Sequence, residues 1–261
     1  MIAKKLPQKP KIILLANDEV GLKIAKYLKS QKENIVGLVL HPKNKAKLAD
    51  KIRKTIGIKN IFYADQMGSP DFLEKIKKIQ PDIALSMWFG YILKSEFIKL
   101  FPSGCINLHN SFLPLNRGKY PHVWAVYNDS KYGVSIHYID EKIDTGDILI
   151  RKEVKVKPTD IAGTLYSRSL EEIVKLFISF WPHFKKGGIK VIKQNNKIAT
   201  SHFAKDIERL DFIDLNKKYL GKHLINQLRS RSFVDRTYAY FLHKKKHIYI
   251  KITLSDKPNF K

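Results

Sequence analysis

The chain has 261 residues, with 49 Lys and Arg against 24 Asp and Glu, so its formal net charge is +25. Hydrophobic residues at 44% and aromatics at 11% are enough for a packed core, which excludes disordered, low-complexity and collagen-like chains. The length suits one large domain with a small appendage. Cys105 is the single cysteine, so neither an internal disulfide nor a thiolate metal cage can form, and a reducing compartment with no metal is expected. Lys4 and Lys5 are followed by Pro7 and Pro10 in place of an apolar stretch, so no secretory signal is read. The longest apolar run, residues 83–93, contains Ser86 and Gly90 and is far shorter than the roughly 20 residues of a bilayer span. These features lead to the expectation of a soluble, cytoplasmic protein with no membrane span.

A charge of this size suits either nucleic acid or small anionic ligands. The lysines, however, run from Lys4 to Lys261 and are interleaved with Ile, Leu and Asn. The densest cluster, Lys244, Lys245 and Lys246, stands just before the alternation of Ile248 and Ile250. That distribution favours a solvated lysine-rich surface over a dedicated nucleic-acid surface.

In chain order, the first part alternates between strand-like and helix-like segments, the pattern of a mostly parallel sheet covered by helices. Residues 11–16 form an apolar β-rich run, after which Val20, Ile24 and Leu28 recur at helical spacing behind an N-cap at Asn17 or Asp18. A strand is predicted over 35–40, a helix over 45–55 and a short strand over 61–63. Ser69 and Asp71 open a helix carrying Phe72, Ile76 and Ile79, which Pro81 ends before a strand over 82–86. The turn after the first strand reads Ala16-Asn17-Asp18-Glu19 with Gly21 alone, so a Gly-rich dinucleotide site is not expected.

Pro102 and Gly104 interrupt the next apolar segment, and a strand follows over 105–109. Its alternation turns Ile106 and Leu108 one way and Cys105, Asn107 and His109 the other. Strands over 132–138 and 148–156 flank the polar turn 140–147. Thr159 or Asp160 then caps a helix lined by Leu165, Ile173, Phe177 and Phe180 until Pro182 disturbs it. After Gly187-Gly188 and Asn195-Asn196 come a short helix over 223–229 and strands over 238–242 and 248–254. The fold class is therefore α/β, Rossmann-like, with a mostly parallel sheet flanked by helices. The soft boundary divides the chain into a domain over 1–190 and a small α+β subdomain over 191–261.

Three features converge on one candidate site. Asn107 and His109 share a face at the end of a strand, where open α/β sheets place their ligands. The loop Ser111-Phe112-Leu113-Pro114-Leu115-Asn116-Arg117-Gly118 follows, shaped by Pro and Gly. Asp144 lies on the next polar turn. An amide to donate to a developing oxyanion, an imidazole to stabilise it or relay a proton, and a carboxylate to orient the imidazole are the groups that acyl transfer to an amine requires.

The segment Ile106-Asn107-Leu108-His109-Asn110-Ser111-Phe112-Leu113-Pro114-Leu115-Asn116-Arg117-Gly118 resembles the core of the 10-formyltetrahydrofolate-dependent formyltransferases. So do Gly133-Val134-Ser135-Ile136-His137 and Asp140-Glu141-Lys142-Ile143-Asp144-Thr145-Gly146-Asp147. The resemblance spans residues 11–181 and is sharpest over 106–150. It implies that Asn107, His109 and Asp144 are catalytic and that a substrate amine attacks the formyl carbon of 10-formyltetrahydrofolate. It also implies a folate slot formed by Met87, Trp88, Phe89, Gly90, Tyr91 and Ile92 with Asp140, Glu141 and Ile143. Taken singly, each of Trp88, Phe89, Tyr91 and Ile92 reads as core rather than contact.

Residues 116–124 and 224–233 are most similar to sugar N-formyltransferases acting on nucleotide-linked amino sugars. That similarity implies a dTDP-linked amino-dideoxy sugar as acceptor and a product for lipopolysaccharide or other surface glycans. It also implies substrate contacts from Ser111, Arg117, Lys119, Tyr120, Arg229 and Arg231, and a homodimer. Tyr120, His122 and Trp124 stand where they could shape a sugar pocket, yet Val123, Trp124 and Tyr127 equally fit the buried face of a helix. Arg229 and Arg231 fit a diphosphate, and they fit the end of a helix as well. Two alternatives stay open: methionyl-tRNA formylation, favoured by the charge, and a catalytically inactive basic binding module on the same fold.

Overall fold

The computed structural model describes residues 2–42, 46 and 48–258. The elements run β1 (Ile12–Ala16), α1 (Asp18–Ser30), β2 (Ile35–Leu40), α2 (Ala49–Ile56), β3 (Ile61–Tyr63), α3 (Pro70–Ile79), β4 (Ile83–Met87), α4 (Ser95–Ile98) and β5 (Cys105–His109). They continue with β6 (Arg117–Gly118), α5 (Pro121–Tyr127), β7 (Gly133–Tyr138), β8 (Ile148–Glu153), α6 (Ala162–Lys186), β9 (Ser201–His202), α7 (Gly221–Ser230), β10 (Tyr240–His243) and β11 (Lys246–Tyr249). Part of the helix predicted over 45–55 lies outside the described residues, and the helix, α2, begins at Ala49, after the predicted start.

A seven-stranded sheet has the order β3-β2-β1-β4-β5-β7-β8. Pairing is parallel from β3 through β2, β1 and β4 to β5, and antiparallel between β5 and β7. The chain moves outward from β1 in both directions, so β1 and β4 flank the topological switch point and their carboxyl ends mark the usual ligand crevice. Gly21 belongs there because an added Cβ would come within 3.0 Å of the Met87 carbonyl. Beneath this edge a buried cluster holds Ile13, Leu15, Val39, Phe72, Ile76, Phe89, Phe97 and Cys105. β1 and β4 are buried along their whole length, which is why they read as apolar runs, broken in β4 only by Ser86.

Pro182 does not end α6, which continues to Lys186. Proline has no N–H for the carbonyl four residues earlier. That carbonyl, on Ile178, instead accepts the Tyr27 hydroxyl at 3.2 Å.

Two compact units share the chain. One comprises Met1–His109, Ser135–Arg151 and Ile173–Gln194; the other comprises Asn110–Val134, Lys152–Glu172 and Asn195–Lys261. The crossing at 194/195 falls in the stretch where the sequence changes character, and the earlier crossings lie at the end of β5 and within β7, β8 and α6. In the second unit, Val123, Trp124, Ala162 and Leu210 form the buried cluster. Its C-terminal hairpin pairs β10 with β11 in antiparallel register. The turn between them places Lys244 and Lys245 at φ 47° and 67°, left-handed without the usual Asn or Gly, so this hairpin carried no turn signal in its sequence.

Candidate active site

The sheet brings the polar residues together by register. β5 and β7 place Asn107 opposite His137 and His109 opposite Ser135, and the parallel ladder of β4 and β5 sets Ser86 beside Asn107. Asp144 arrives on the turn after β7, with its backbone at φ 53°, a conformation that Asp tolerates better than most residues. Tyr138 N–H donates to the Asp147 carbonyl at 2.9 Å and closes the turn. Gly146 is required by close approach, because a Cβ there would lie 1.9 Å from the Tyr138 carbonyl oxygen. Gln194 Nε2 donates to the carbonyls of Asp144 (2.9 Å) and Gly146 (2.6 Å), tying the turn to a distant part of the chain. The Asp140 carboxylate accepts from Thr145 Oγ1 at 2.6 Å and from Lys142 N–H at 3.2 Å.

The result is one carboxylate between two imidazoles. Asp144 Oδ2 stands 3.5 Å from His109 Nδ1, and Oδ1 stands 3.5 Å from His137 Nε2. The three side chains are 13%, 9% and 2% exposed, in the order Asp144, His109, His137. Asn107 Nδ2 is 3.2 Å from His137 Nε2, Ser86 Oγ donates to Asn107 Oδ1 at 3.0 Å, and His137 Nδ1 is 2.7 Å from the Tyr138 carbonyl. A 3.5 Å ion-pair distance is looser than a hydrogen bond and leaves the His109–Asp144 pair room to move. An amide donor, an imidazole and a carboxylate in mutual reach can stabilise an oxyanion and take a proton from an attacking amine. Sequence reasoning missed His137, Ser86 and Gln194 as members of this cluster.

Of the expected folate residues, Met87 and Phe89 bury their side chains in the core, so only their backbone could meet a ligand. Trp88 and Gly90 have φ of 63° and 76°, which turns the chain sharply after β4. An added Cβ on Gly90 would meet nothing within 4 Å, so there is room at this turn. Tyr91 packs 5.4 Å from Phe89, whereas Ile92 and Ile143 are 73% and 46% exposed. His41 hydrogen-bonds to the Phe89 carbonyl and lies edge-on to Phe89 and Tyr91 at 5.2 and 4.8 Å. Glu141 Oε1 accepts from Ser95 Oγ at 2.8 Å. Open space at a glycine turn, exposed aliphatic side chains and a strained backbone suit a flat heteroaromatic ligand held by backbone groups.

The expected acceptor contacts all lie in the second unit. Ser111 is fully buried, and Arg117 is buried with Nη2 donating to Asn196 Oδ1 at 3.0 Å. Lys119 and Tyr120 are exposed. Arg229 donates to the Asp160 and Lys157 carbonyls, both at 2.8 Å, and to Asn226 Oδ1 at 2.9 Å. Arg231 is paired with Asp211 and lies 4.6 Å over the Tyr238 ring. Both guanidinium groups therefore point inward. His122 and Trp124 are on the buried side of α5, Trp124 stacking on His202 at 4.1 Å. Burial, and then the nearby Arg231 charge, depress His122 to about 3, so it is neutral at ordinary pH.

The formyl transferase family matches residues 11–180, which include every residue of the cluster around Asp144 except Gln194. The chain belongs to the formyl transferase family. An N-formyltransferase dimerization C-terminal domain matches residues 206–256. Beside this formyl transferase chain, a methionyl-tRNA formyltransferase of Bacillus velezensis is 30% identical over 229 residues, 84% of this chain and 71% of its own length. The chain spans about half the length of other curated relatives it matches, 49% for the one from Desulforamulus reducens. In fold it is similar to a 4-N formyltransferase from Francisella tularensis, with a TM-score of 0.80 at 23% identity over 96% of this chain and 100% of that one. It is also similar to an N-formyltransferase from Helicobacter canadensis in complex with folinic acid and dTDP-3-aminofucose, with a TM-score of 0.68 at 22% identity over 92% of this chain and 86% of that one. Among the described residues, no group of three His, Cys, Asp or Glu side chains is placed to hold a metal ion, and no helix is long and apolar enough to cross a membrane.

Proposed function

We propose that the chain moves the formyl group of 10-formyltetrahydrofolate to the amine of a nucleotide-linked amino sugar. The observation that carries this reading is the placement of Asp144 within 3.5 Å of both His109 and His137, with Asn107 beside them at the carboxyl end of β5. The folate, when bound, supplies the electrophilic formyl carbon. Asn107 and His109 donate to the oxygen that becomes negative as the amine attacks. Asp144 holds His109 by Nδ1 and takes the proton that the amine loses as its nitrogen bonds to the formyl carbon; the carbonyl then re-forms as the bond from that carbon to N10 breaks, and the proton passes to N10 of the departing tetrahydrofolate. The backbone of residues 87–92, with Ile92 and Ile143 beside the turn of Asp140 and Glu141, forms the folate slot.

For the acceptor we assign the diphosphate to Lys119, with Tyr120 beside it, and treat Ser111 and Arg117 as shaping the loop that presents them. Arg229 and Arg231, with inward-facing guanidinium groups, fit the construction of the second unit better than contact with the acceptor. The further reading is a dTDP-linked amino-dideoxy sugar for surface glycan synthesis in the cytoplasm, supported by the likeness to an N-formyltransferase crystallised with dTDP-3-aminofucose. A homodimer would use residues 206–256, where Phe212, Leu242, Ile248 and Tyr249 are exposed.

The test is mass spectrometry of a panel of nucleotide-linked amino sugars after incubation with 10-formyltetrahydrofolate and the protein, with methionyl-tRNA as control. A one-formyl mass gain on a single sugar nucleotide is expected. The second reading, methionyl-tRNA formylation, is favoured by the 30% identity to the Bacillus velezensis enzyme. It predicts formylation of the tRNA alone and a steep loss of binding as salt rises. An inactive binding module would leave the whole panel unmodified and fail to bind a folate analogue.

A further inference from the structure

We propose that Ser86 is a positioning residue for Asn107, fixing the side-chain amide with its N–H edge toward the reacting centre. The inference rests on the proposed function, in which Asn107 is an oxyanion donor. It begins at the Tyr138 carbonyl, which can only accept a hydrogen bond. His137 Nδ1, 2.7 Å away, must therefore carry the proton, and in the neutral ring Nε2 is an acceptor that Asp144 Oδ1, itself an acceptor 3.5 Å away, does not satisfy. Asn107 answers it with Nδ2 at 3.2 Å, which turns Oδ1 to the other side.

On that other side stands Ser86, 3% exposed on β4, with Oγ 3.0 Å from Oδ1. Were the amide reversed, Oδ1 would face the His137 Nε2 lone pair, acceptor against acceptor, a costly arrangement at this burial. The His137 end of the chain Ser86–Asn107–His137–Tyr138 thus sets the amide orientation, and the Ser86 hydroxyl, donating to Oδ1, holds it. A primary amide has two N–H donors. One is engaged by His137, and the other is the donor that Asn107 offers to substrate. The register of β4 and β5, which sets Ser86 beside Asn107, is what places a hydroxyl there.

The test compares Ser86→Ala, Ser86→Val and Ser86→Thr in the full chain with two readouts. Turnover is followed with the formyl donor and the acceptor identified by mass spectrometry. Side-chain ¹⁵N relaxation follows the Asn107 amide without requiring any activity. Ser86→Ala and Ser86→Val are expected to lower kcat about tenfold or more, with KM for both substrates within about twofold, and to drop the Asn107 order parameter toward the flexible range below about 0.6. Ser86→Thr restores both. An amide equally ordered in Ser86→Ala, or a loss of kcat that Ser86→Thr does not recover, overturns the proposal. If the wild-type protein formylates nothing in the panel, the functional reading falls, and the relaxation data still decide whether Ser86 orients the amide.

Discussion

Each unit builds a polar cluster around one aspartate, and the two clusters are built differently. Around Asp144, a carboxylate and two imidazoles stand at 3.5 Å, neither separated nor tightly bonded. Around Asp160, Arg168 forms a two-pronged pair at 2.6 and 2.9 Å, Lys157 N–H adds a bond at 2.6 Å, and Arg229 caps the Asp160 carbonyl at 2.8 Å. Burial alone would raise the Asp160 carboxyl, yet the Arg168 and Lys157 hydrogen bonds hold it below its usual range. The difference teaches that burial does not mark a working polar group. What separates the clusters is the kind of partner: Asp144 faces two imidazoles at 3.5 Å, whereas Asp160 is gripped by a guanidinium at 2.6 and 2.9 Å.

That contrast breaks if the loose cluster turns out to hold the fold together. Asp144→Ala and His109→Ala should each lower turnover by about 10³ or more, while a denaturant titration should find the chain nearly as stable as before. A large loss of stability in either would erase the distinction. Arg231→Leu is the converse: stripping Asp211 of its partner should cost about 3 kcal/mol of stability. Activity per folded molecule should barely change, as a kcat measurement on the folded fraction would show. Gly146→Ala should do both kinds of damage, about 1–3 kcal/mol from overpacking and a fall in kcat as the turn carrying Asp144 is displaced.

The comparison sharpens with pH. His122 is held neutral in the folded chain at about 3, whereas an unfolded His titrates near 6.5. Between those values the unfolded state binds the extra proton, so stability should fall as pH drops from about 6.5 toward 3, by about 1.4 kcal/mol per unit from this group. His122→Phe should flatten that acid limb, read from denaturation midpoints across the range. The smallest effect is expected from Gln194→Ala, which removes donors from two carbonyls at about 1 kcal/mol each and loosens the Asp144 turn by a few-fold in kcat.

Much of this was legible in the residues. The strands β1, β2 and β4 are mostly apolar runs, and the period-two pattern of residues 105–109 put Asn107 and His109 on one face. His137 obeys the same alternation on β7, so register with β5 was the signal that could have found it. Ser86 was disguised inside an apolar run, where a lone serine reads as a small core residue. Gln194 offers no local cue, since its partners lie about 50 positions earlier in the chain. Pro182 was read as a helix break because the donor that replaces its missing N–H, Tyr27, belongs to a distant segment. The arginines at 229 and 231 suited a phosphate or a helix end equally in one dimension, and only their inward partners separate the two.

That pairing of Tyr27 with Pro182 ties two sites into one heritable unit. While proline stands at 182, the phenol at 27 gives the stranded Ile178 carbonyl its hydrogen bond. Replace the proline with alanine and the helix reclaims that carbonyl through its own backbone, freeing position 27 to drift. Loss of the phenol therefore costs a hydrogen bond while the proline stands and nothing at this carbonyl once it is gone, so the two positions are coupled.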